Sequence, residues 1–542
     1  MDNYPVIGRN LSPLIRVLGK DLVQYVLNIP DATSMESVDL TSAQETAVGI
    51  LQEFSHGPGQ IESFALDNYF SATRLSAVIP GAEISLVNSL RKLTGGGVEA
   101  ATSVNDPLAD ALIAIACDIW PIYLLRPQGE SMPTFWMAAP VGAYSHPLMA
   151  SAIDAFLADP TLMKLFPEPK EYDDVPDSGG FSKAARYESL IFASGPSGNL
   201  QLVTLLPNLI SNAVWRCLMA GRKLGLASLT PYITAVVSDL RSLADSEEVR
   251  LPAFIGLGGV QVPEGSTLEL PSGHLRAATD RDRDLFMAGS KSLTSVFETV
   301  FPVRIYSIKG RHFGSDPDNL VAEFSAYAPQ FTETNRCFEH DRDLMRLSLL
   351  LSSPSSEPWL VREVGRFIPI PTSHGGISSW DPSLPSVMSH ELPTESFEAI
   401  RKWNELIMDA HVPSLDIGMR RLLSATTGRT DPMDALIDAV ICWESLFGAN
   451  TETTFRVTGA ISKLLEQGEL SDREALHREL KGIYETRSRL VHGGSEPRPE
   501  ELSRKQQRAI EVAAECLRSI YRDRPDLLGL SAAARSARLL LE

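Results

Sequence analysis

The chain has 542 residues, enough for a large core and for two to four domains. Its 49 Lys and Arg against 68 Asp and Glu leave a net charge of −19, which excludes a protein coated with nucleic acid or held on an anionic membrane, although one local basic patch remains compatible. The five cysteines, Cys117, Cys217, Cys337, Cys442 and Cys516, are scattered, odd in number and without a CxxC pair, which excludes a disulfide framework and a zinc knuckle and predicts a reducing, cytoplasmic setting.

Residues 1–245 read as a mostly helical region. Apolar residues at three- and four-residue steps predict helices over 11–27, 42–54, 107–125, 147–157 and 202–243. Gly- and Pro-rich loops at 94–97, 177–180 and 195–198 break them. None is followed by Gly-Lys-Ser/Thr, so all read as turns rather than phosphate cradles. The run from Leu112 to Leu125 is interrupted by Asp118 and Pro121 and is too short to span a membrane, which predicts a core helix. The first residues show no basic-then-apolar leader pattern. His56 and His146 stand in separate loops without a spaced partner, so neither is assigned a metal. The region carries no catalytic motif and is read as sensory or regulatory.

Residues 250–390 read as a small α+β module with a linker. Strand-like runs at 254–262, 267–270, 274–277 and 303–308 alternate with Gly and Pro turns, and helices are predicted at 285–301 and 341–351. His312 and His340 flank Asp316, Asp318 and Asp341 at irregular spacing, read as solvated loops rather than a metal centre. The Pro-, Ser- and Gly-rich stretch 368–393, with His374 inside it, is the linker to the last domain.

Residues 395–530 read as a helical bundle. Phe397, Ile400, Trp403, Leu406 and Ile407 form one apolar stripe, and Leu415, Met419, Leu422 and Leu423 form the next. Asp431-Pro432 is an N-cap with proline at the first helical position, opening a helix striped by Met433, Leu436, Ile437, Val440, Ile441 and Phe447. Phe455 to Leu465 is a shorter helix. A capping box, Ser471-Asp472-Arg473-Glu474, is predicted to start the following helix, striped by Leu476, Leu480, Ile483, Tyr484 and Val491. After Pro497 to Pro499 comes a helix from Leu502 to Tyr521. Arg487 falls inside the Tyr484 helix's apolar stripe, where a guanidinium is costly unless paired. Glu444, at the margin of the Val440 stripe, is its expected partner. His492 is placed at that helix's C-terminal end, because Gly493 and Gly494 follow it. Five residues turn an ideal helix about 140°, so Arg487 and His492 share a face only loosely.

Two blocks carry a resemblance. The first is Asp434-Ala435-Leu436-Ile437-Asp438-Ala439-Val440-Ile441-Cys442-Trp443-Glu444-Ser445-Leu446-Phe447-Gly448. The second is Tyr484-Glu485-Thr486-Arg487-Ser488-Arg489-Leu490-Val491-His492-Gly493. In this order they resemble an ApeA-like HEPN domain (higher eukaryotes and prokaryotes nucleotide-binding), over about residues 414–522. The resemblance implies a mainly α, multidomain protein ending in a HEPN-like bundle of four to five helices that dimerises. It implies a metal-independent endoribonuclease, a hydrolase of phage defence or of toxin–antitoxin systems, without a cofactor. Its Arg-x4-His pair would be Arg487 and His492, with Glu444, Ser488 and Tyr484 in support. The family often has Asn, Asp or His after the arginine, where this chain has Ser488. Implied partners are RNA, tRNA included, a second copy of the chain and a phage-derived or cellular trigger, with no membrane.

The chemistry stands on its own terms. Cleaving RNA through its 2′-hydroxyl requires a base, a cation for the phosphorane and an acid for the leaving oxygen. Histidine titrates near neutral pH, and arginine grips phosphate with a fork that stays charged. Lys481, Arg489, Arg504, Lys505 and Arg508 are expected to form a basic rim for RNA. The alternative reading is a non-catalytic RNA- or nucleotide-binding scaffold in which Arg-x4-His is structural.

Overall fold

The computed structural model describes residues 11–30, 39–55, 71–78, 81, 83–125, 141–169, 180–286, 292–310, 317–354, 358–373, 376–378, 388–449, 451–493 and 497–542. His56, His312, Asp316, His374 and Gly494, and the loop at 177–179, lie outside these residues.

Gly19 decides the start of the described chain. It sits at φ 88°, a conformation that glycine tolerates better than any other residue, and divides the expected 11–27 helix into α1 (Ser12–Leu18) and α2 (Lys20–Leu27). With α3 (Ser42–Ser55) and α4 (Leu86–Leu93) these bury a small core of their own, including Leu18, Leu22, Val26, Leu51 and Val87. α5 (Pro107–Ile119) is N-capped by the Asp106 carboxylate, which accepts from Leu108 N and Ala109 N. Its interrupting Asp118 is buried yet satisfied. It accepts from Ser85 N at 2.7 Å and Asn88 Nδ2 at 2.7 Å, and these bonds with the His146 contact hold its carboxyl below the usual range against the opposing effect of burial.

Next come α6 (Met149–Leu157), α7 (Leu202–Met219) and α8 (Leu226–Ala244). The expected 202–243 helix is therefore two helices, separated by a turn with Gly221 at φ 67°. Two apolar stretches, Pro107–Leu124 and Leu202–Met219, are long enough to cross a membrane, but 61% and 89% of them is buried inside the protein.

The strands are β1 (Glu188–Ala193), β2 (Gly198–Gln201), β3 (Val249–Gly258), β4 (Val260–Gln261), β5 (Thr267–Leu270), β6 (Gly273–Ala277), β7 (Ser295–Val303), β8 (Ile305–Lys309), β9 (Arg362–Ile368), β10 (Gly376–Ser378) and β11 (His390–Glu391). An antiparallel six-stranded sheet has the order β10-β9-β3-β7-β6-β5, β2-β1-β8 form a second sheet, and β11 pairs in parallel with β4. The helix expected over 285–301 is not formed. A short helix ends at Phe286, and 295–303 is the strand β7, with Phe297 opposite Ile255 and Phe301 opposite Leu251. Those cross-strand apolar pairs outweigh a local spacing that mimics a helix.

The protein is thus mainly α-helical with small sheets. One apolar core runs continuously from Leu108 to Ile400, so packing does not pause at 245–250, where composition changes. α9 (Pro317–Ser352) extends the helix expected at 341–351 to 36 residues. It contributes Phe338, Met345 and Leu349 to this core and Leu344, Leu347, Leu350 and Leu351 to the C-terminal one.

The C-terminal core is built by α10 (Phe397–Ala410), α11 (Asp416–Leu423), α12 (Pro432–Phe447), α13 (Thr453–Leu465), α14 (Leu470–Val491), α15 (Pro499–Arg522) and α16 (Ala532–Leu541). α12 is its axis, in contact with α11, α13, α14, α15 and α16. Asp431 caps it by accepting from Met433 N. The bundle does not stop at 530, because Leu539 of α16 is in the core. Trp443 is fully buried, and its indole N–H donates to Ala509 O at 3.1 Å. Trp443→Ala should therefore cost about 3–5 kcal/mol in denaturant unfolding, and a loss under about 1 kcal/mol would mean that α12 is not the axis.

Candidate functional site

α12 and α14 bring together three of the residues that the sequence singled out, Glu444, Tyr484 and Arg487. Glu444 lies in the last turn of α12, and Arg487 in the second-last turn of α14. Arg487 Nη2 donates to Glu444 Oε2 at 3.3 Å, with side chains 20% and 24% exposed. The pair is half-buried, so it is screened less than a surface ion pair. The Tyr484 hydroxyl donates to Glu444 Oε1 at 2.5 Å. One carboxylate thus holds two side chains one turn apart on α14. Burial, then the Glu444 carboxylate, pushes the Tyr484 phenol up to about 12, so it remains a donor at neutral pH. Arg487 Nε is buried without an acceptor among the described residues. Among the described residues the guanidinium is therefore held through Nη2 alone.

His492 is the C-cap of α14, with φ −96° and ψ 16°. Its N–H donates to Ser488 O at 3.2 Å, and Gly493 follows at φ 73°, as glycine does after a helix. The ring is exposed. Ser488 is half-buried and supplies the carbonyl under His492. The expected capping box is not formed. α14 begins at Leu470 with Glu469 as N-cap and no side-chain cap bond, which puts Ser471 inside the first turn.

The expected basic rim divides. Lys505 Nζ donates to Thr486 Oγ1 at 2.8 Å and pairs with Glu501, and Arg489 Nη2 reaches the same Thr486 hydroxyl at 3.3 Å. Arg504, one residue before Lys505, is exposed. These three flank the Arg487 end of α14. Arg508 does not join them. It faces Glu479 at 3.2 Å, Glu511 at 3.5 Å and Glu515 at 3.9 Å, a surplus of carboxylates that offsets its charge. Lys481 lies two turns before Arg489, 3.8 Å from Glu485.

A second polar constellation escaped the sequence. His411 Nδ1 lies 2.5 Å from Tyr521 Oη and its Nε2 2.7 Å from Asp416 Oδ1, while the His340 ring stands edge-on to it, centroids 5.1 Å apart. Burial pushes the His411 ring below its ordinary value. His340, His411 and Asp416 have ligand atoms within 4.8 Å of one another and form the metal-compatible group found among the described residues. Both nitrogens of His411 are already engaged by the protein, so the group serves as a bracket between α9, α10, α11 and α15. Its members come from positions 340 to 521, and no local spacing announces them.

Comparison with protein-family models, curated proteins and solved structures returned no match to this chain.

The tether itself is testable. Tyr484→Phe should lower unfolding free energy by about 1–2 kcal/mol, since it leaves Glu444 half-buried with one donor fewer. A phenol raised in the folded state contributes stability that is present below its unfolded value of 10.0 and lost as pH rises through about 12. The wild-type advantage over Tyr484→Phe should therefore be constant below pH 10 and vanish on approaching pH 12 in thermal melts. An equal or smaller advantage at neutral pH than at pH 11 would show that this hydrogen bond does not stabilise the fold.

Proposed function

We propose that the protein is a metal-independent endoribonuclease of the HEPN type, acting in phage defence or as a toxin, with Arg487 and His492 as its catalytic pair. The observation that carries this reading is the Glu444–Arg487 pair at 3.3 Å, which holds a guanidinium at the helix end where an exposed histidine caps the chain. An arginine held through one nitrogen, with 20% of its side chain exposed, is suited to a phosphate oxygen and to the charge that develops on the phosphorane. An exposed histidine is free to take the 2′-hydroxyl proton or to return one to the leaving 5′-oxygen. Attack by the 2′-hydroxyl forms the new O–P bond as the P–O5′ bond breaks, leaving a 2′,3′-cyclic phosphate and a 5′-hydroxyl.

Arg489, Arg504 and Lys505 would carry the flanking phosphates, in an otherwise acidic chain. One such site has a single histidine for two proton transfers. A homodimer that juxtaposes two copies supplies the second. Val491, 49% exposed beside His492, gives apolar surface for that contact, whereas Phe455 and Leu470 lie toward the opposite end of α14. Incubation of full-length protein with total RNA in EDTA should give fragments ending in cyclic phosphate. Pure protein that leaves tRNA, mRNA and phage RNA intact, with and without phage lysate as trigger, would sink the reading and leave the binding scaffold in its place.

A further inference from the structure

We propose that the cleft between the N-terminal helices and the six-stranded sheet is a binding site for a phosphate-bearing small ligand of nucleotide size. The cleft encloses about 1110 Å³. Ligand pockets run to roughly 300–1,000 Å³, so a nucleotide fits with room for water. Its wall carries six cationic side chains, Lys20, Arg91, Arg222, Lys223, Arg276 and Arg281, against three carboxylates, Asp21, Glu99 and Asp280. In a chain of net charge −19 this is a local reversal of sign. Cations gathered in a concave, low-dielectric place repel one another unless an anion joins them.

Neighbouring groups offset only part of that charge. Arg276 is held by Asp282 at 2.7 Å and Glu298 at 2.5 Å, and Arg281 faces Asp21 at 3.2 Å. Asp280 is taken by Arg283 at 2.7 Å, and Glu99 accepts from Leu226 N at 2.9 Å. Arg91 spends its donors on the carbonyls of Tyr25 and Gly97, which leave its charge uncompensated. Lys20 and Arg222 have no carboxylate partner among the described residues.

A second observation points to the same place. Gln24 lines the cleft, is 5% exposed, and its Nε2 amide finds no acceptor among the described residues. A buried donor without an acceptor is costly, and a ligand oxygen would supply one. Tyr25, partly exposed in the wall, has the Arg91 guanidinium 4.3 Å above one ring face, a cation–aromatic pair on which a ligand ring can pack, and Trp120, 5% exposed, backs it edge-on from the core. The site draws on α2, α4, the turn between α7 and α8, and β6, so it is a concavity rather than a track along one face. That shape suits a compact polyanion better than an RNA strand.

The inference does not rest on the ribonuclease reading, and its test measures binding alone. Full-length protein is titrated calorimetrically with ATP, tripolyphosphate, adenosine and a single-stranded oligoribonucleotide. ATP should bind once per chain. Lys20→Glu and Arg222→Glu should each weaken it by about tenfold or more, with melting temperatures unchanged. Gln24→Leu should also weaken ATP while leaving Tm equal or higher, because it removes an unpaired amide. Tripolyphosphate binding that is lost in the same variants supports the phosphate half of the assignment, and weaker adenosine binding supports the ring half. The proposal is overturned if neither ATP nor tripolyphosphate binds at millimolar concentration. It is equally overturned if both charge reversals leave binding unchanged, or if the oligoribonucleotide binds through these residues more tightly than ATP.

Discussion

His492→Ala should reduce RNA cleavage by about 10²–10⁴-fold while leaving the melting temperature within a degree or two of wild type. The stability half follows from the structure. The ring is exposed and the helix end is held by backbone bonds, His492 N to Ser488 O and Gly493 N to Leu490 O, which alanine keeps. Arg487→Ala should lose at least as much activity but also some stability, since it leaves Glu444 half-buried with Tyr484 as its remaining donor. Arg487→Lys should restore much of the stability and little of the activity, because an ammonium matches the charge but not the fork. Cleavage is read as cyclic-phosphate ends, and stability as circular dichroism melts of the same preparations. The catalytic reading fails if His492→Ala cuts like wild type. The scaffold reading gains if both alanine variants lose several kcal/mol and RNA binding together.

A fragment beginning at residue 395 should not melt cooperatively. The sequence places a domain start there, but the C-terminal core takes Leu344, Leu347, Leu350 and Leu351 from α9, all 3% exposed or less. Removing four such leucines exposes the core surface they cover and forfeits about 8 kcal/mol of burial, comparable with the roughly 5–15 kcal/mol that holds a whole domain. Arg518 would lose the carbonyls of Leu350, Leu351 and Ser353, to which its guanidinium donates. A fragment from 341 restores both and should melt as one transition. A cooperative melt of the 395 fragment near the full-chain Tm would refute the shared core. The same comparison bears on the regulatory reading of residues 1–245. Silence of the 395 fragment in a cell would report unfolding, whereas toxicity of the 341 fragment above that of the full chain would report a released brake.

What could be read from the sequence follows the physics of each signal. Arg487 on an apolar stripe and Glu444 at the margin of another were both anomalies against a helical period, and such anomalies need partners. They prove to be each other's, at 3.3 Å. The strand β7 mimics a helix in sequence because Val296, Phe297, Val300 and Phe301 repeat at three- and four-residue steps, although Val300 is exposed and Val296, Phe297 and Phe301 are buried. The capping box at Ser471 does not form because the cap is the residue with extended backbone angles, and that is Glu469 at φ −66° and ψ 147°, two residues upstream. The first half of α9 is hidden in the sequence by Pro329 inside it, although Leu320, Phe324, Tyr327 and Phe331 repeat at three- and four-residue steps and Phe324 and Tyr327 meet Phe192. The cationic cleft and the His411 bracket were invisible because chain distances of hundreds of residues carry no period at all.

The long helix α9 also fixes a phase. Leu344 and Met345 are adjacent, yet one belongs to the C-terminal core and the other to the central core, and the same division separates Leu349 from Leu350. Each residue advances an α-helix by about 100°, so inserting or deleting one residue between Leu347 and Leu349 would turn Leu349, Leu350 and Leu351 away from the two cores that Leu344, Met345 and Leu347 still occupy. The two halves of the protein are therefore keyed to each other like teeth on one shaft, and a graft that exchanges the bundle must carry α9 with its rotation intact.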